Sequence, residues 1–265
     1  MPEYALELSD DERARYRLMA EAARRSEAAS WATAGIAEGA RVADVGCGPA
    51  AVSVVVAGVV GPTGHVWAVD GTPETAAAAR ETVEAAGATN ITVSTGDAAD
   101  TGLEPGSVDV VMIRHVLAHN GPSEQAIVDH AAALVRPGGA VLLVDTDAAA
   151  VRARPEDPDV MDLDARYRQW HAQRGNDLAV GLRLDELLEK AGLDVVAYEG
   201  RFEIVRLPPG IRPPAWAARD ALTVAGLAGA DDIARWHAAL DRYAGTTPPP
   251  KLFAPIFLAV GRRPA

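Results

Sequence analysis

At 265 residues the chain is long enough for one large α/β domain with an insertion, or for two small domains. A hydrophobic fraction of 49% and a charged fraction of 23% fit a soluble globular protein, and no apolar run nears the roughly 20 residues of a membrane helix. The net charge of −12 argues against a nucleic-acid partner, whose phosphates call for Lys and Arg, and Cys47 as the only cysteine excludes an intrachain disulfide.

The first residues, Met-Pro-Glu-Tyr-Ala-Leu-Glu, have neither the basic region nor the apolar core of a signal peptide, so a cytoplasmic location is expected. Ser9-Asp10-Asp11-Glu12 then reads as a capping box that opens a helix over 10–36. The spacing of Tyr16, Leu18, Met19, Ala22, Ala23 and Trp31 makes this helix amphipathic. It either packs on the domain or brings Tyr16, Arg17 or Trp31 to a site.

The next stretch is Arg-Val-Ala-Asp-Val-Gly-Cys-Gly-Pro-Ala, residues 41–50. A short apolar run ends in Gly46 and Gly48, and an Ala/Val-rich helix over 50–60 follows at once. That is the strand–turn–helix junction at which α/β sheets receive nucleotide-like ligands. The glycines also fit a dinucleotide fingerprint, so an NAD-dependent oxidoreductase stays open as an alternative. Asp44 disfavours it, because its carboxylate would face a pyrophosphate, whereas an ammonium or sulfonium group would be attracted there.

Asp-Val-Gly-Cys-Gly-Pro resembles motif I of the class I S-adenosylmethionine-dependent methyltransferases of small-molecule type. The chain departs from the pattern at Ala50, where the family often has a third glycine. The resemblance covers 41–145 well and 183–205 loosely. It implies a Rossmann-like α/β fold: a mostly parallel seven-stranded sheet with a last antiparallel strand, helices on both faces and helical lid insertions. It also implies S-adenosyl-L-methionine as cofactor, with S-adenosyl-L-homocysteine as product.

Further along, residues 65–70, 91–95, 108–113 and 140–144 read as strands. Helices are expected from Thr72-Pro73, cap and first position, to Gly87, and over 122–135. Residues 134–139, Leu-Val-Arg-Pro-Gly-Gly, end a helix and turn the chain into the sheet. An amphipathic helix over 183–191 and strands over 194–205 and 252–261 complete the domain. The organisation expected is an N-terminal helical segment, 1–40, covering the site of a methyltransferase domain, 41–265. Its lids lie at about 147–181 and 213–244.

Asp70 and Asp97 stand after the second and third strands. By the resemblance Asp44 meets the methionine end of the cofactor, Asp70 the ribose hydroxyls, and Asp97 with Ala98 the adenine. Gly46, Cys47, Gly48, Gly71 and Gly96 complete the cofactor set, with Arg114 and Tyr16 as further contacts. His115, at the tip of the fourth strand, is the candidate general base, and His119 the second candidate. His115, Asp147, Tyr167, Trp170 and His171 are candidate substrate contacts, and no metal ligand set is read. The function expected is direct methyl transfer to a small organic molecule, oxygen slightly ahead of nitrogen or carbon. A non-catalytic S-adenosylmethionine-binding protein is the other alternative. No nucleic acid or membrane is expected as partner, and the protein is a monomer or homodimer.

Overall fold

The computed structural model describes residues 10–206 and 212–265, with side chains from Tyr16 onward. Its strands are β1 (Arg41–Val45), β2 (His65–Asp70), β3 (Ile91–Thr95), β4 (Val108–Arg114), β5 (Val135–Thr146), β6 (Arg152–Arg154), β7 (Asp194–Arg206) and β8 (Lys251–Arg262). They form one sheet in the order β3-β2-β1-β4-β5-β8, with β6 and β7 both paired to β8. The pairs from β3 through β5 are parallel, and β8 is antiparallel to β5, β6 and β7. The sheet therefore has eight strands where seven were expected. The extra one is β6, which pairs with residues 251–253 beyond the point where β5 leaves β8.

Ten α-helices surround the sheet among the described residues: α1 (Asp10–Ser26), α2 (Ala28–Ala34), α3 (Ala51–Val60), α4 (Pro73–Ala85), α5 (Glu124–Leu134), α6 (Pro158–Gln173), α7 (Leu184–Lys190), α8 (Pro214–Ala217), α9 (Arg219–Val224) and α10 (Ala230–Gly245). Strand alternation builds two cores. Ala43, Val45, Val111, Ile113, Val141 and Leu143 face α5 and α7, while Val42, Val110, Met112, Leu142 and Val144 face α2 and α3. A third core joins the two insertions: Leu163, Trp170, Leu222, Trp236 and Leu240 pack together from α6, α9 and α10.

Several local expectations are corrected. The single helix over 10–36 is broken at Glu27 into α1 and α2, and the Ser9 capping box lies outside the described residues. Ala50 is left-handed, at φ 59°, so α3 starts one residue later than expected. The helix over 122–135 begins as a 3₁₀ turn, Gly121–Ser123, and ends at Leu134. Val135 already belongs to β5, with the Pro-Gly-Gly stretch accommodated as an irregularity in the β4–β5 register. Thr72 caps α4 as expected, accepting from the Thr75 amide at 3.1 Å.

The strand order reverses between β1 and β4, the point at which an open α/β sheet leaves a crevice beyond its strand ends. The functional residues collect there.

Candidate active site

β1 ends in a loop whose glycines have no room or no conformational licence for a side chain. Gly46 is at φ 74°, and a Cβ on it would lie 2.3 Å from Val116 Cγ2. Gly48 is at φ 55°, with the Tyr16 ring against it. This loop is one wall of a cavity of about 1460 Å³ that runs from the ends of β1, β2 and β3, past β4 and β5, to the lid helices. Gly46, Cys47, Gly48, Asp44, Asp70, Gly71, Gly96, Asp97, Ala98, Arg114 and Tyr16 all line it, as do His115 and His119.

The three acids are held differently. Asp44 is 3% exposed, and its Oδ2 accepts from the Ser53 hydroxyl at 2.5 Å. Burial pushes it up to about 6, against the opposing pull of Ser53 and Arg114. Asp70 Oδ2 accepts from the Gly48 amide at 2.8 Å, so this carboxylate ties the β2 end to the glycine loop as well as lining the cavity. Burial raises its pKa although the amides of Gly48, Gly71 and Thr72 oppose the rise. Asp97 is exposed and forms an Asx turn, its Oδ1 accepting from Ala99 N at 2.8 Å.

At the tip of β4 the side chain of Arg114 makes two hydrogen bonds to Glu27, Nε to Oε2 at 3.0 Å and Nη2 to Oε1 at 2.5 Å. Glu27 also accepts from Trp31 Nε1 at 3.2 Å. Burial alone would raise the Glu27 pKa, but the guanidinium holds it below the ordinary carboxylate range. Sequence reasoning missed Glu27, which lines the cavity from the break between α1 and α2.

His115 is left-handed at φ 56°, and its amide donates to Val144 O at 2.8 Å. A non-glycine residue in that region is strained, and here the strain turns the imidazole toward the cavity. Its Nδ1 lies 3.9 Å from Asp145 Oδ1. Asp145 is 1% exposed and accepts from the amides of Ala118 and Thr146.

The substrate candidates divide. Tyr167 lines the cavity. Asp147 does not: it caps the 3₁₀ turn Ala148–Ala150, accepting from Ala149 N at 2.9 Å, because β5 stops at Thr146. Trp170 and His171 do not line the cavity either, since α6 turns both into the lid core. His171 Nδ1 meets Asn176 Nδ2 at 2.8 Å, and burial beside His119 and Arg174 drives the imidazole down to about 3.

Residues 42–139 match the family model described as a methyltransferase domain. The arsenite methyltransferase of Halobacterium salinarum is 36% identical over 51% of this chain and 33% of its own length. The demethylmenaquinone methyltransferase of Listeria monocytogenes is 26% identical over 62% of this chain and 73% of its own. Thus the chain spans only about a third of the Halobacterium protein. A solved S-adenosylmethionine-dependent methyltransferase of Aquifex aeolicus superposes with a TM-score of 0.52 at 18% identity, over 72% of this chain and 92% of that one. Residues 42–139 are thus similar to a methyltransferase domain, and the chain shares the fold of solved S-adenosylmethionine-dependent methyltransferases. Among the described residues no helix is long and apolar enough to cross a membrane.

Proposed function

We propose that the protein methylates a small organic molecule, with S-adenosylmethionine held by the loop after β1 and by Asp44, Asp70 and Asp97. The observation that carries this reading is the convergence of those three acids, from successive strand ends, on one cavity. The residues fit the cofactor. Asp44 is a buried carboxylate raised to about 6, which an ammonium group would relieve. An added Cβ on Gly71 would meet nothing within 4 Å, which leaves room beside Asp70 for a ribose.

When bound, the sulfonium supplies an electrophilic methyl group for in-line displacement, so alignment and exclusion of water carry much of the rate. The chain supplies the rest. His115 Nε2 takes the proton of the acceptor, while Asp145, beside Nδ1, favours the tautomer with that nitrogen protonated. A hydroxyl acceptor is preferred, since an amine attacks with its free lone pair before it must lose a proton. Relatives that act on arsenite and on demethylmenaquinone are consistent with a small acceptor.

Calorimetric titration with S-adenosylmethionine, S-adenosylhomocysteine and NAD tests the cofactor. Both adenosyl compounds should bind, and Asp70→Ala should weaken them by about 1.5–3 kcal/mol, the worth of hydrogen bonds to a charged group. Tighter binding of NAD would overturn the reading. Turnover of labelled S-adenosylmethionine over an acceptor panel distinguishes an enzyme from a binding protein. There His115→Gln should lower the rate by about 10²–10⁴-fold and leave S-adenosylhomocysteine affinity nearly unchanged. A near-wild-type rate would mean that proximity alone drives transfer.

A further inference from the structure

The cavity is larger than the cofactor end alone. Its far half is walled by the lid and by β7 and β8, and its apolar surface comes from residues such as Val160, Tyr167, Leu240, Tyr243, Pro214 and Leu252. Two carboxylates stand in this wall, Asp164 on α6 and Glu203 on β7. Asp164, one helical turn from Tyr167 and Arg168 on α6, lines the cavity and is placed in no hydrogen bond or ion pair among the described residues. Burial pushes it up to about 6, and Arg168 only partly offsets the rise.

The other charged side chains of this wall are Glu203, Arg168, Arg206 and Arg212. Arg212 is ion-paired with Asp241 at 2.6 Å but keeps Nη1 buried without a hydrogen-bond partner among the described residues, and Arg206 Nη1 donates to the neutral Pro249 O at 2.9 Å. That leaves the acids Asp164 and Glu203 and one base, Arg168, without a bonded partner among the described residues. An Asp–Arg pair four residues apart on a helix ordinarily closes, as Asp162 and Arg166 do on the same helix at 3.2 Å. Asp164 and Arg168 do not close to within ion-pair distance. A long arginine can carry its head to open water, whereas the short Asp164 stays half-buried on a largely apolar wall. On α6 the group left for a ligand to satisfy is the Asp164 carboxylate, and the chain's net charge of −12 favours the approach of a cation.

We propose that Asp164 is a specificity-determining residue that anchors an ammonium group of an otherwise apolar substrate, on the lid side of the cavity. This rests on the small-molecule reading above and narrows it to amine-bearing acceptors. An amine held there as ammonium has no lone pair with which to attack, so it anchors the molecule while another atom accepts the methyl group.

The test is calorimetric binding of three probes that share one skeleton: 4-phenylbutylamine, 4-phenylbutan-1-ol and 4-phenylbutanoate. Each is titrated into the full chain with and without saturating S-adenosylhomocysteine. The amine should bind at least about tenfold tighter than the alcohol or the carboxylate, since a charge-assisted hydrogen bond is about twice as strong as a neutral one and is formed here out of water. Asp164→Asn should abolish that preference. Arg168→Gln should raise amine affinity severalfold by removing a like charge, a sign opposite to that of a merely structural role. Neither variant should alter S-adenosylhomocysteine binding. Replacing a half-buried, unpaired charge with an amide is not expected to unfold the protein, and a thermal melt checks this. The proposal is overturned if the amine shows no preference or no binding at millimolar concentration, or if the carboxylate binds tightest. Retention of the amine preference in Asp164→Asn overturns it too. Failure of wild type to bind S-adenosylhomocysteine would sink the methyltransferase reading instead, while the amine preference would still be read from the titrations without it.

Discussion

Asp44 is held where its charge is costly. Its pKa rises from 3.8 to about 6 because it is buried at the end of β1 with one hydroxyl as its bonded partner. In the unfolded chain the group ionises at its ordinary value, so between about pH 4 and 6 the folded state binds more protons. Stability on this account is greatest below pH 4 and is lost as pH rises through about 6. Two pK units correspond to about 3 kcal/mol. Asp44→Asn, which can still accept from Ser53, should therefore stabilise the ligand-free protein at pH 8 by an amount of that order. The gain should shrink to nothing near pH 4, while S-adenosylhomocysteine affinity falls. Equal denaturation midpoints for the two proteins at pH 8 would show that Asp44 is not strained by burial. The residue's place was legible in the sequence because a carboxylate two positions before a Gly-x-Gly turn has few structural reasons to be there. Asp164 was not legible: among the mixed charges of its helix it reads as one more solvated acid, and its burial depends on a lid core that only the tertiary structure assembles.

Elements were easiest to read where the pattern was local. β2 and β3 fall at their expected bounds, since each is a short run carrying β-branched or aromatic residues closed by a turn residue. The break between α1 and α2 was hidden, because Glu27 lies in sequence that suits a continuous helix, and its partner Arg114 is 87 residues away. Burying that pair takes both charges out of water, at side-chain exposures of 9% and 4%, so the bond must be made well to be tolerated. Glu27→Gln removes one charge and leaves the other buried, which should cost about 3–5 kcal/mol. The loss should be concentrated in α2, so amide exchange over Ala28–Ala34 should quicken more than over β1 or β4. An Arg114→Met, Glu27→Met double variant should recover most of the loss, because it leaves no orphan charge. If the single variant is as stable as wild type, the N-terminal segment is docked by its apolar face alone.

At the scale of the molecule, the parallel half of the sheet was readable because each strand–helix unit announces itself, and the strand-end acids then fall on one edge by topology. The eighth strand and the unity of the lid were not, since β6 is only three residues long and the two insertions are separated by α7 and β7. What joins them is a core of their own, with Trp236 fully buried among side chains from α6 and α9 and its Nε1 bonded to Asp162 at 3.0 Å. An insertion pair with a core of its own has no reason to fray helix by helix, and if it acts as a lid it is expected to move as a body. Hydrogen exchange should therefore show α6 and α10 less protected than β1 and β4 in the ligand-free protein. Both helices should gain protection by a similar factor when S-adenosylhomocysteine and an acceptor analogue are bound. Two outcomes speak against this. Protection equal to that of the sheet in both states would make the insertions fixed walls of the cavity. A gain in α6 without one in α10 would mean that their shared core opens within the lid rather than moving with it.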